Sequence, residues 1–556
     1  MKKIIITAIL AACSNAMWAQ MDNVVEVENQ FTPTVKDANK VNVLPLTVTT
    51  QVKHYDVQYS TEARPTDNIT FQPADPSLSD AAVKGAPKNF FTLAGGNLGN
   101  LLGRGTFGWE ITDRDILHFD LSLRGHNGEV ESFENRDKEW KQRFYQTNAD
   151  VRYEHLIAPS SAFYVRGGMD SQVYNYQHAG PTSTTDKQHN WIGCAEVGVT
   201  PYTTGKFTVG ASAMARVFSR NNYLNNEYYG GIQMGDDQNV ETRFDADVIT
   251  NFQFNSQHSA GLDLKGAFAR YDLKSYENQG AFHLVPHYAF QNEKVDIRLG
   301  ARMIFESGLT KKFRVTPDAH VIFHLSPSAD FFAEAKGGLH FNDFFRMNSI
   351  TPYWNLPFEQ LKSQFDQLQA NAGFRWKIRE GWHAAVSAGY DITEDRTELQ
   401  SPSGELWRNG VFTAKGSLVH IDAHTKYCYK DIVTLEARGR FNGWNIDDEN
   451  GYFEDTPAWR PIFEAEASAI YQPVSGLRIG VDFQFASFPS DNYVLYERPT
   501  MSNLGASISY KIPRELIPAN LSIYCKADNL LNQKYDAYYG HQSIGTSFLA
   551  GFALSF

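Results

Sequence analysis

The residues of this 556-residue chain with the most capacity for chemistry are charges that recur at every second position of strand-length segments. In 117–124, His118, Asp120, Ser122 and Arg124 alternate with Leu117, Phe119, Leu121 and Leu123. Arg298 and Arg302 alternate in the same way with Ile297, Leu299, Ala301 and Met303, and Glu436 and Arg438 with Leu435 and Ala437. Residues two apart share one face of a strand, so these charges form one polar face. That face could hold an internal segment, bind a charged solute, or pair with itself; a self-paired lattice is favoured over a substrate site. The spacings that make nucleophilic, metal-dependent or phosphate chemistry (Gly-x-Ser-x-Gly, His-Glu-x-x-His, Gly-x-x-x-x-Gly-Lys, Cys-x-x-Cys) do not occur. Residues 445–451 are acidic but depart from the calcium-loop pattern at its first position. No enzymatic activity, cofactor or metal is expected. A net charge of −12 gives no reason to expect a nucleic-acid partner.

Such charges need elements that keep them away from hydrocarbon. An Arg or Lys at the bilayer midplane on the lipid side of a strand costs about 2–4 kcal/mol, so two or three per strand must face inward. From Asn89 onward the chain reads as strands joined by ten short turns rich in Gly, Pro, Asn, Asp and Ser, at 113–115, 158–161, 203–206, 255–258, 292–294, 327–329, 380–381, 430–431, 473–476 and 513–519. Ten hairpins plus one strand at either end, 89–99 and 543–556, make about 22 strands, with short connections alternating strictly with long ones. The fold class is all-β: a transmembrane antiparallel outer-membrane barrel, with short periplasmic turns, longer extracellular loops and outer-membrane lipid around it. The last strand shows the pattern most clearly. Phe548, Phe552, Leu554 and Phe556 lie on one face, and Ser547, Gly551 and Ser555 on the other. That suits a strand that closes a barrel, where no edge can remain.

Ahead of the barrel, residues 1–20 have the charged start, apolar run and small residues of a signal peptide. Residues 10–13 also fit a lipobox, with Cys13 as the lipidated residue. Residues 21–88 are interrupted by six prolines (33, 45, 65, 73, 76 and 87) and read as an extended periplasmic or lumen-filling segment, not a domain with its own core. The aromatic stretch 344–354 could stack on a glycan or dock a surface lipoprotein; packing within the loop is the simpler reading.

Residues 527–535, with Asn529, Leu530, Asn532 and Tyr535, followed by Tyr538, Tyr539, Gly540 and a terminal Phe556, resemble the carboxy-terminal end of TonB-dependent receptors. The segment 315–327 is similar to a mid-barrel segment of that family. The resemblance implies a barrel of about 22 strands in outer-membrane transport. It also implies an amino-terminal plug of about 150 residues, whereas only 21–88 precede this barrel, so the plug is missing or reduced. Residues 22–28 are similar to the short box through which such receptors engage TonB, or form a generic acidic tail. The expected function is transport across the outer membrane or service as a barrel subunit of an outer-membrane assembly. The alternatives are a passive porin-like channel and a purely structural scaffold. Surface lipoproteins and a periplasmic partner are the candidate protein partners.

Overall fold

The computed structural model describes residues 89–556 apart from stretches within several connections, chiefly 132–138, 178–186, 222–227, 401–407, 448–456 and 490–497. Residues 1–20, Cys13 among them, and the segment 21–88 lie outside the described residues, as does most of the acidic loop after Asp447.

Twenty-two strands form one antiparallel sheet that runs from Asn89–Gly96 to Ser547–Ser555. The first strand pairs with both the second and the last, so the sheet has no edge. Alternation decides how this seam closes. Phe91 and Leu93 stand opposite Leu554 and Phe552 on one face, and Thr92 and Ala94 opposite Ala553 and Gly551 on the other. On the inner face Phe90, Ala94, Tyr524 and Ala553 pack together, and Thr92 Oγ1 hydrogen-bonds the Tyr524 hydroxyl at 2.8 Å. Gly551 permits the approach, because a Cβ there would lie 2.3 Å from the Leu93 carbonyl oxygen.

All ten short turns fall between neighbouring strands, for example between Thr112 and Asp115, Arg379 and Trp382, and Val474 and Leu477. The alternation of short with long is less strict than expected. The first outward connection is only 97–100, held tight because Leu98 and Gly99 adopt positive φ (53° and 61°) and Asn97 Oδ1 accepts from the Phe548 amide at 2.6 Å. The first strand therefore ends at Gly96 instead of 99. The last ladder begins at Ser547, after Gly545 turns the chain with φ 76°.

Outside, Leu121, Leu299, Leu435, Phe441 and Val481 are exposed. A closed barrel that presents apolar side chains outward and pairs every strand is built for lipid, and the protein is an outer-membrane barrel. The two faces should respond oppositely to the same charge. Leu121 is six residues, about 20 Å of strand, from the periplasmic turn, near the middle of the band. Leu121→Arg is expected to cost about 2–4 kcal/mol and to lower the folded fraction, read as heat-modifiable migration on gels. Asn148→Arg lies at nearly the same depth, opposite Ser122 and Asp170 on the lumen face, and is expected to fold as the parent does.

Candidate functional site

The six inward charges singled out in the sequence lie on the lumen wall but do not converge. Asp120 accepts from Thr106 Oγ1 at 2.7 Å. Arg124 donates to Gln146 Oε1 at 2.7 Å, and Gln146 passes the contact to Asp170 at 2.6 Å. Arg298 lies 3.1 Å from Asp263 and 3.3 Å from Asp318, and Arg302 is 3.7 Å from Asp318. Glu436 is held between His424 at 3.0 Å and Arg438 at 2.9 Å. Each of the six is held within its own or nearby strands, so these charges belong to separate local lattices and not to one binding site.

Convergence happens at the extracellular mouth. Residues 341–363 connect the thirteenth strand, Ala329–His340, to the fourteenth, Gln364–Arg379. They fold inward. Asp343 caps a short helix, α1 (Phe344–Ile350), by accepting from the Arg346 amide at 2.8 Å. Phe344, Met347 and Ile350, three residues apart, form the buried face of α1, and Pro352 follows the helix where it could not continue it.

The contacts of this loop reach far round the ring. Asn348 donates to Gln172 on the fifth strand (Ser161–Asn175) at 2.9 Å and accepts from Asn190 on the sixth (Lys187–Pro201) at 2.6 Å. The fifth strand is eight places from the thirteenth in a ring of 22. Asp343 binds Arg243 at 2.6 Å and lies 3.5 Å from Arg216. The Arg216 guanidinium stands 3.8 Å over the Phe345 ring, and that of Arg220 lies 4.0 Å over Trp354 while donating to the Trp354 carbonyl at 2.7 Å. Phe344 and Trp354 join Phe218, Tyr271, Ile304 and Phe365 in one apolar cluster.

Tyr353 is the centre of the crossing. Its ring stacks on His541 at 3.7 Å and meets Tyr174 and Tyr538 edge-on at 5.6 and 5.5 Å. Tyr353 and Trp354 are 0% exposed. Burial pushes the Tyr353 phenol above its usual range. Beside it the Asn409 amide donates to the Tyr353 carbonyl at 2.8 Å, and the Asn355 amide to that of Asn409 at 2.7 Å. Ile350 packs with Leu399, Trp459 and Tyr539, and Glu398 clamps both Trp459 and Arg460 at 2.9 Å. The stretch 344–354 is thus packed inward, and its buried rings do not offer a surface to a glycan or a lipoprotein.

The carboxy-terminal motif supports this cap. Asn529 and Asn532 follow the strand Asn520–Asp528 rather than lying within it, both at positive φ (49° and 48°), a conformation that Asn tolerates better than most residues. Asn529 ties down the turn through Gln533, and its carbonyl accepts from Thr546 Oγ1 at 2.7 Å. Leu530 is exposed, whereas Tyr535 is buried with Ala486 and Met501. In the closing strand Phe548, Phe552 and Phe556 are exposed at 52%, 39% and 59% on the lipid side, with Leu554 partly exposed beside them. Among the described residues no group of three or more His, Cys, Asp or Glu could hold a metal ion, and Cys194, Cys428 and Cys525 are free.

The same barrel is found in solved outer-membrane receptors and transporters. It is the fold of TonB-dependent receptors. The copper transporter OprC superposes with a TM-score of 0.61 at 12% identity, covering 84% of this chain and 80% of that one. The ferric enterobactin receptor of Pseudomonas aeruginosa gives 0.63 at 10% identity (84% and 80%), and the FrpB iron transporter of Neisseria meningitidis 0.64 at 9% (84% and 81%). No family model matches the chain, and no curated protein sequence matches it. At these identities the likeness is one of fold.

Proposed function

We propose that this protein acts in transport across the outer membrane as a barrel whose extracellular mouth is closed at rest by residues 341–363. The observation that carries the reading is the complete burial of Tyr353 and Trp354 between strands on one side of the lumen and the last loop on another. A passive channel would keep this path open. Porins of 16–18 strands leave an aqueous channel, and 22 strands enclose a wider one. The solved proteins of the same fold are described as copper and iron transporters or as a ferric enterobactin receptor, which favours transport over a purely structural scaffold or a barrel subunit of an assembly. In this reading the segment 21–88 adds to the seal from the periplasmic side or engages a periplasmic partner of the TonB type.

Planar-bilayer recording tests the proposal. The full chain is expected to be silent, and large steady currents from it would overturn the closed-mouth reading in favour of a porin. Removing 21–88 gives a further expected outcome: brief, small openings at most, since the outer mouth is closed independently. A steady large current after that removal would make the segment the main seal.

A further inference from the structure

The lipid-facing wall carries a hollow of about 560 Å³ across the fourteenth to nineteenth strands, at their periplasmic ends. Residue size explains it. Thr425, Ala437 and Ala467 stand in one register row, while Tyr427 and Leu435 rise beside them in the row nearer the periplasm and Phe483 walls the far side. Small side chains between large ones leave a depression there.

The hollow also has a polar end. Arg379, exposed at the last position of its strand, lines it and holds its guanidinium 5.4 Å from the Trp382 ring and 5.0 Å from the Tyr427 ring. Trp382 is fixed in turn by donating from Nε1 to Thr425 Oγ1 at 3.0 Å. Aromatic rings and a cation beside the periplasmic turn mark the level of the headgroups. Ala467 lies seven residues from the end of its strand at Val474, about 23 Å of tilted strand, which is roughly the depth of one leaflet.

We propose that this hollow binds one phospholipid of the inner leaflet. Its phosphate would lie on the Arg379 guanidinium and one acyl chain over Ala437 and Ala467. Both volume and charge select this occupant. A helix about 10 Å across laid along the same length would need several times the space, and an acyl chain would not. The cation at the headgroup level complements a phosphodiester. A lipopolysaccharide would have to reach the hollow from the opposite leaflet.

Native mass spectrometry of the full chain in mild detergent, with palmitoyl-oleoyl phosphatidylethanolamine as the probe, tests this. The parent is expected to retain one phospholipid. Arg379→Ala should lower the retained fraction by about tenfold, the factor carried by one charge-assisted hydrogen bond. The double variant Ala437→Leu/Ala467→Leu, which fills the floor, should lower it as far, while Ala372→Leu, exposed on another part of the wall, should not. Heat-modifiable migration checks that each variant is folded. If the double variant does not fold, Arg379→Ala decides alone, because it lies at the turn and outside hydrocarbon. Failure of the parent to retain phospholipid, parent-like retention by Arg379→Ala, parent-like retention by a folded double variant, or preferential retention of added lipopolysaccharide would each overturn the proposal.

Discussion

Replacing residues 342–362 by a short Gly-Ser linker, in a chain that already lacks 21–88, is expected to raise single-channel conductance by at least about an order of magnitude, because a ring wider than that of an open porin loses its cover. The barrel should survive the excision. The strands on either side remain in register through Leu339 opposite Phe365 and His340 opposite Gln364, so a short linker can join ends that already face one another. Loop closure is also cheaper for a shorter connection, by about 0.6 kcal/mol per halving of length. What the excision removes is contact between distant parts of the ring: Asn348 with Gln172, Asp343 with Arg243, and Tyr353 with His541. Parent-like silence in the excised chain would show that another element closes the lumen, and the closed-mouth proposal would fall. The same excision with 21–88 retained separates the two candidate seals, since current there makes the loop sufficient alone.

The wall of this barrel was legible in the sequence because a strand repeats every two residues and lipid penalises a misplaced charge strongly. Leu117 to Arg124 and Leu477 to Phe485 can be assigned to faces by counting, and the Gly, Pro, Asn and Asp of the ten turns mark where each count restarts. The connection 97–100 was missed because its sharpness comes from Leu98 at positive φ and from Asn97 bonding to the last strand, some 450 residues away, neither of which is a local signal. The mouth was hidden for a related reason. A loop rich in Phe, Tyr and Trp has the same composition whether it projects outward or folds in, and α1 is too short for its period to stand out. The distinguishing feature is the matching set of inward residues, Arg216, Arg220 and Arg243, on strands a hundred or more positions before the loop residues they meet. Arg216 alternates with Ala215 and Val217, and Arg220 shares its face two turns of the pleat on, so the sequence can mark them as lumen-facing without showing that they meet a loop. Asp343 offered one local hint, since a carboxylate just before a Phe-Phe-x-Met run is a helix-capping signal.

Asp343 is also where the cap should be most vulnerable. Its side chain is wholly buried, bonds Arg243 at 2.6 Å, faces Arg216 at 3.5 Å, and at the same time caps α1 through the Arg346 amide. Asp343→Ala leaves two guanidinium groups buried beside each other with one fewer counter-charge. Breaking a buried pair from one side costs about 3–5 kcal/mol, and losing the cap adds about 1 kcal/mol. The ladder of the barrel contains none of these bonds, so the cost should appear as release of the loop and not as loss of the wall. Amide hydrogen exchange across 344–356 is expected to accelerate by about a hundredfold or more, with trypsin newly able to cut after Arg346, while heat-modifiable migration stays as in the parent. Asp343→Asn, which can still cap α1 but removes the charge, should fall between the two. Adding Arg216→Met to Asp343→Ala should restore part of the protection, because Arg243 keeps Asp245 at 2.7 Å, whereas Arg216, left with Glu241 at 4.0 Å, is the guanidinium that the first change strands. Unchanged exchange in 344–356 for Asp343→Ala would mean that the apolar cluster around Phe344 and Trp354 alone holds the mouth closed, and that the ion pairs do not latch it.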